Sequence, residues 1–285
     1  MSVRVAKSAG FCFGVSRAVE LVEKAAQEGR KVATLGPIIH NRHVVDKFQK
    51  MGVRVIETPE EALPGETVII RSHGISRAVY ERLEAQEVEI IDATCPFVKR
   101  IHTIVSRASE EGRLPVIIGT PTHPEVEGIA GWCGDCQVFQ DASELANWVK
   151  FEKISRDLAI CMVSQTTSTE SLWKLCGEFA KKQFTNLKIF DTICRATEYR
   201  QSEAAELSGV CQAMVVVGDP KSSNTGRLAM ICREHCDKVF LVDNAAELKA
   251  EDFSGVTDVG ITAGASTPAW IIKEVNKTMS EITNA

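Results

Sequence analysis

The chain has 285 residues, a formal net charge of −5, 44% hydrophobic and 25% charged residues. That length exceeds one small core and suits two or three compact α/β units, and the mild acidity argues against nucleic acid or an anionic membrane as partner. No apolar run reaches a membrane span and no signal or transit pattern precedes the first strand, so ten cysteines point to a reducing, cytoplasmic setting and to metal or redox chemistry.

In chain order, Val3-Arg4-Val5 reads as a buried strand that leads through Gly10-Phe11-Cys12-Phe13-Gly14 to an amphipathic helix over 16–28. A strand at 32–35 runs into Gly36-Pro37-Ile38-Ile39-His40-Asn41 and a helix at 43–50. Strands at 53–57 and 67–71 follow, the latter ending in Ser72-His73-Gly74 before a helix at 76–85. The strand Glu89-Ile90-Ile91-Asp92 leads through Cys95-Pro96 to a helix over 98–111. Next come strands at 115–119, 138–140 and 159–164 and helices at 143–149 and 170–182, with Thr120-Pro121-Thr122-His123-Pro124-Glu125 and Gln165-Thr166-Thr167 at strand ends. Lys188-Ile189-Phe190-Asp191 then leads to Cys194 and a helix at 198–207. Strands at 213–218, 239–243 and 258–262 alternate with helices at 224–234 and 268–280. Their loops carry Ser222-Ser223-Asn224 and Ala265-Ser266-Thr267.

Such alternation implies parallel sheets covered by helices. The strands fall into three groups of about four. The expected architecture is therefore three similar α/β units in pseudo-threefold arrangement, at 14–95, 96–193 and 194–285, the last completed by the N-terminal strand within 1–13.

Cys12, Cys95 and Cys194 share one setting, a strand before and a helix after, and Asp92 to Cys95 and Asp191 to Cys194 share the form Asp-x-x-Cys. Pro96 suits a first helical position, which places Cys95 at the N-cap, where the helix dipole favours thiolate. Three thiolates in such a setting suit a metal or cluster site. The rival is a zinc site from Cys133-Gly134-Asp135-Cys136 with Cys232, His235 and Cys236. Against it, the first pair reads as a tight turn and the second as apolar filler at i, i+4 on one helix. Cys161, Cys176 and Cys211 read as core on strand or helix faces.

Ligands bind beyond the carboxyl ends of parallel strands. Those ends carry small donors, helix starts and His40, His73 and His123, a set suited to an anion. Each loop alone has a plainer reading: Ser-Ser-Asn as an N-cap, a histidine as a structural hydrogen-bonding group, Glu125 and Glu127 as complements to a helix dipole. Six such loops on one face favour a binding site. No Gly-x-Gly-x-x-Gly follows any strand, so electrons for a redox reaction must come from outside.

Taken together, Gly10-Phe11-Cys12-x-Gly14-Val15, Gly36-Pro37-x-x-His40-Asn41, Arg71-Ser72-His73-Gly74, Asp92-Ala93-Thr94-Cys95-Pro96, His123-Pro124-Glu125-Val126-x-Gly128, Gln165-Thr166-Thr167, Thr192-Ile193-Cys194-x-Ala196-Thr197, Ser222-Ser223-Asn224 and Gly260-Ile261-Thr262-Ala263-Gly264-Ala265-Ser266-Thr267-Pro268 closely resemble the 4-hydroxy-3-methylbut-2-enyl diphosphate reductases of the non-mevalonate isoprenoid pathway. The resemblance spans nearly the whole chain; one departure is Thr120, where the family often has histidine. It implies a trefoil of three α/β units around a central [4Fe–4S] cluster, one per chain, held by Cys12, Cys95 and Cys194 with one iron not ligated by cysteine. By the same resemblance His40, His73, His123, Ser222, Ser223, Asn224 and Ser266 hold the diphosphate of a small allylic substrate, Glu125 donates protons, and Thr166 relays them or orients the substrate hydroxyl. A ferredoxin or flavodoxin is the implied electron donor. A zinc hydrolase or phosphotransferase and a non-catalytic redox sensor are the alternatives, and the colour of the anaerobic protein separates cluster from zinc.

Overall fold

The computed structural model describes residues 2–284. Among them are twelve strands: β1 (Ser2–Val5), β2 (Val32–Leu35), β3 (Arg54–Ile56), β4 (Thr67–Ile70), β5 (Glu89–Asp92), β6 (Leu114–Ile118), β7 (Gln137–Phe139), β8 (Ile160–Ser164), β9 (Leu187–Ile189), β10 (Ala213–Val217), β11 (Lys238–Val242) and β12 (Asp258–Ala263). The α-helices are α1 (Phe13–Gln27), α2 (Arg42–Lys50), α3 (Arg77–Glu84), α4 (Pro96–Glu110), α5 (Pro124–Ala130), α6 (Ala142–Phe151), α7 (Glu170–Gln183), α8 (Arg195–Ser208), α9 (Ser223–His235) and α10 (Ala269–Asn284).

The strands form three four-stranded sheets, ordered β3-β2-β4-β5, β7-β6-β8-β9 and β11-β10-β12-β1. Every pairing is parallel. The three sheets therefore share one topology, and β1 stands in the last where β5 and β9 stand in the others. By packing, the chain divides into two compact units. One holds residues up to 17, 39–50 and from 195 onward; the other holds 18–38 and 51–194.

In the first unit, β10 is buried along its whole length. Val215 and Val217 face Ile271, Val275 and Met279 of α10, whereas Met214 and Val216 face Leu228, Ala229 and Cys232 of α9. In the second unit, β6 and β8 likewise send Val116, Ile118 and Met162 to one layer with Trp148 and Trp173, and Ile117, Cys161 and Val163 to another with Val105 and Ile129. Central strands buried on both faces explain the continuous apolar runs in the sequence.

The strands that lead to the three cysteines differ from expectation. They are not buried: β1, β5 and β9 are half-exposed or exposed along their lengths. Each is a sheet edge with a single hydrogen-bonded neighbour, so one flank lacks cover. Helix starts also move. Two of the three helices begin at Phe13 and Arg195, directly after their cysteines, rather than at 16 and 198, whereas α4 begins at Pro96 with Cys95 as its N-cap, as Pro96 suggested. Phe13 and Tyr199 are exposed, which hides the apolar period in the opening turns of α1 and α8. Helix α5, of which the sequence showed only a start, is a full element. Cys236 is the C-cap of α9 and Cys211 lies just before β10, and both are buried with Cys232, Leu228 and Ala229 as the apolar reading expected. No helix among the described residues is long and apolar enough to cross a membrane.

Candidate active site

The strand ends are built alike in all three sheets. Gly36, Gly119 and Gly218 follow β2, β6 and β10, and their N–H groups donate to the last carbonyls of the neighbouring edge strands, Ile56, Phe139 and Val242, at 2.7, 2.9 and 2.9 Å. Cys12, Cys95 and Cys194 donate their own N–H groups to Ala265, Ser72 and Thr166 at 3.1, 2.9 and 3.0 Å. Each of those acceptors lies two residues past the end of β12, β4 or β8. The thiols of all three cysteines are half-buried, and each immediately precedes a helix, Cys95 as the N-cap of α4.

In the larger unit, the loops after β4, β6 and β8 bring several expected residues together. His73 and His123 meet edge to face, their ring centroids 5.6 Å apart. His123 is the N-cap of α5, and its Nδ1 accepts the Glu125 N–H at 3.1 Å. That bond fixes Nδ1 as acceptor, so the neutral ring carries its proton on Nε2. Glu125 is 3% exposed. Oε1 accepts the Thr166 N–H at 2.6 Å and Oε2 accepts the Thr166 hydroxyl at 2.7 Å. The capping role that α5 could have asked of Glu125 is taken by His123. The carboxylate is paired with the hydroxyl of Thr166, the residue to which the resemblance gives a relaying or orienting role.

Gly74 shows how tightly this loop is drawn. Its φ is +75°, and a Cβ there would lie 2.7 Å from Cε1 of His102. Only glycine fits both the left-handed backbone and the close approach. The ring of His102 in turn stacks on Trp132, with centroids 5.3 Å apart and planes at 16°. Burial lowers the His102 imidazole to about 4; Lys99 pushes the same way and Asp92 opposes.

In the smaller unit, Ser222 is the N-cap of α9 and accepts the Thr225 N–H at 3.4 Å. The Ser266 hydroxyl donates to the His40 carbonyl at 3.0 Å and lies 3.4 Å from the Ser222 hydroxyl, so His40, Ser222 and Ser266 form one group. Asn224 is 3% exposed, and neither its Nδ2 nor its Oδ1 has a protein partner. A buried primary amide left so is costly unless a ligand satisfies it. Ser223 opens the same helix, half-buried.

A family model described as LytB protein matches residues 3–280. The chain belongs to the LytB family. A 4-hydroxy-3-methylbut-2-enyl diphosphate reductase of Caldanaerobacter subterraneus subsp. tengcongensis is 44% identical over 280 residues, which cover 96% of this chain and 95% of the relative. A solved structure of (E)-4-hydroxy-3-methyl-but-2-enyl diphosphate reductase, described as the terminal enzyme of the non-mevalonate pathway, matches with a TM-score of 0.71 at 39% identity, over 99% of this chain and 100% of that one. The structure of the E-1-hydroxy-2-methyl-but-2-enyl-4-diphosphate reductase from Plasmodium falciparum matches with a TM-score of 0.89 at 27% identity, over 99% of this chain and 88% of that one.

Two residues of this LytB chain outside the expected set help to shape its loops. Gln165 bridges neighbouring strand ends, its Oε1 accepting the Thr120 N–H at 3.1 Å while its Nε2 donates to the Thr167 hydroxyl at 2.9 Å. Asp243 is buried at the end of β11 and bonds Arg42 and, at 2.9 Å, His43, which fixes the start of α2 just beyond His40. Gln165 sits inside a motif legible in the sequence. Asp243 stands 200 residues from His43 and had no local signal.

Proposed function

We infer that this chain reduces (E)-4-hydroxy-3-methylbut-2-enyl diphosphate to isopentenyl and dimethylallyl diphosphate, taking up two electrons and two protons and releasing the allylic hydroxyl as water. The observation that carries this reading is the buried Glu125 carboxylate joined to Thr166 beside His73 and His123. A carboxyl so placed serves as general acid to a poor leaving group. Glu125 gives its proton to the departing hydroxyl, and the Thr166 hydroxyl holds that group in line and carries the proton. His123, its Nδ1 occupied, presents an Nε2–H donor to the diphosphate. His40, His73, Ser222, Ser223, Asn224 and Ser266 supply the remaining donors. The Asn224 amide supports this assignment, because a diphosphate oxygen can accept from its unsatisfied Nδ2.

The three cysteines fit an iron–sulfur cluster in chemistry. Each offers a half-buried thiol at a helix start, with its backbone already committed and its sulfur not in a disulfide. Cys12, Cys95 and Cys194 would hold a [4Fe–4S] cluster, with one iron free of cysteine; no other cysteine shares their setting. When bound, such a cluster supplies single electrons and a Lewis-acidic iron to the hydroxyl. A ferredoxin or flavodoxin is the proposed donor. A reducing compartment, the cytoplasm, suits ten free thiols.

Anaerobic protein supplied with dithionite and the allylic diphosphate tests the reading. Both five-carbon diphosphates should form, and Cys12→Ser, Cys95→Ser or Cys194→Ser should each remove iron and visible absorbance. A colourless zinc protein that hydrolyses the substrate would overturn it, as would loss of the chromophore on changing Cys133 or Cys136.

A further inference from the structure

Cys133 and Cys136 bracket the turn between α5 and β7, apart from the cysteines that open helices. The Cys133 thiol donates to the Ile129 carbonyl at 3.6 Å, and Cys136 returns three residues later to the same side of the turn. Both are half-buried on the same apolar layer, with Val126 and Ile129 of α5. The intervening Gly134 and Asp135 are exposed, and a Cβ on Gly134 would meet nothing within 4 Å, so this turn has room to adjust. A cleft of about 200 Å³ lies beside this turn, lined by Cys133 and Gly134 with Arg77 and Trp132.

The neighbouring Cys133 holds the Cys136 thiol below its usual range, against burial and the nearby Asp135. Other thiols contrast with this pair. Burial drives Cys161 and Cys176 up to about 11 and Cys232 to about 12, so these stay protonated and inert.

We propose that Cys133 and Cys136 form a reversible dithiol–disulfide couple, a redox modification site at the C-terminal end of α5 whose oxidant is a small-molecule disulfide of the glutathione type. The Cys136 thiolate attacks one sulfur of that disulfide, forming a mixed disulfide and releasing one small thiolate. Cys133, giving up its proton, then attacks the Cys136 sulfur, and the second small thiolate leaves. The protein loses two electrons and two protons, and the small disulfide gains both as two thiols. The step uses none of the residues assigned to the reductive reaction, so it stands or falls separately from that activity. It acts, however, on the helix whose other end holds His123 and Glu125, about 10 Å away along seven helical residues.

The test equilibrates anaerobic holoprotein in graded ratios of reduced to oxidised glutathione, quenches in acid, unfolds and alkylates it, and maps peptides by mass. The fragment with Cys133 and Cys136 should take two alkyl groups under reducing conditions. At the oxidising end it should take none and weigh two hydrogens less, while Cys161 and Cys176 remain alkylated. With its partner removed, Cys133→Ser should trap glutathione on Cys136, and Cys136→Ser should trap far less on Cys133. A fragment that takes two alkyl groups at every ratio, or that carries glutathione on both sulfurs, overturns the couple. Equal trapping in the two variants overturns the choice of Cys136 as nucleophile.

Discussion

Glu125 would be expensive to bury as an isolated carboxylate. Two hydrogen bonds from one residue, Thr166, offset that cost and leave the carboxyl poised beside the donor histidines. Glu125→Gln keeps the shape and removes the transferable proton. Turnover should therefore fall by roughly 10²–10⁴-fold while iron content and substrate binding persist, as steady-state kinetics and substrate titration of the visible spectrum would show. A near-normal kcat in a fully loaded variant would remove Glu125 from the proton path. Thr166→Val takes away only the hydroxyl and strands Oε2. Chemical denaturation should register a loss of about 1–3 kcal/mol, and kcat should drop with little change in KM. A rise in KM alone, with kcat intact, would make Thr166 a substrate-binding contact instead.

At the scale of elements, the loops depend on glycines that no side chain can replace. Gly218 has φ +145°, and a Cβ there would lie 2.6 Å from the Thr267 hydroxyl and 2.9 Å from that of Thr225. Gly218→Ala should cost about 1–3 kcal/mol in backbone strain and displace the N-cap Ser222, raising KM for the diphosphate. Unchanged stability and KM would contradict that account. Much of this level was legible beforehand. The parallel alternation, the strand-end loops and the placement of Cys95 at a helix start follow from apolar periodicity, Gly and Pro, which act over a few residues. Edge character did not show, because Ile90 and Ile91 are apolar whether or not a neighbouring strand covers them. Nor did the opening turns of α1 and α8, whose exposed Phe13 and Tyr199 break the amphipathic pattern. The short α5 was obscured by Pro124 and two acids, residues that also suit a turn. The Glu125–Thr166 pair spans 41 residues and depends on how β6 and β8 register, which local sequence does not encode.

For the molecule as a whole, acid is the condition under which stability should fail first, and His102 is one named cause. Unfolded, a histidine takes its proton near 6.5; folded, burial holds His102 to about 4. Between those values acid charges only the unfolded chain, so the contribution is complete above about 6.5 and declines as the pH falls towards 4, by at most about 3 kcal/mol. His102→Phe keeps a ring against Trp132 and cannot titrate. The pH dependence of its denaturation midpoint over that interval should be flatter than that of the unaltered protein, and an identical slope would rule His102 out as a contributor.

Thr166 has each of its backbone and side-chain polar groups engaged: its carbonyl receives Cys194, and its amide and hydroxyl both serve Glu125. Such a residue is a coupling element in the thermodynamic sense. Whatever steadies the backbone at Cys194 steadies the carboxyl at Glu125, and reciprocity requires the converse to the same degree. The amides of Cys194 and Thr166 should then exchange their hydrogens with solvent as a pair, slowing together when either side of the site is occupied, so that readiness to donate a proton is communicated to the sulfur side through a single threonine.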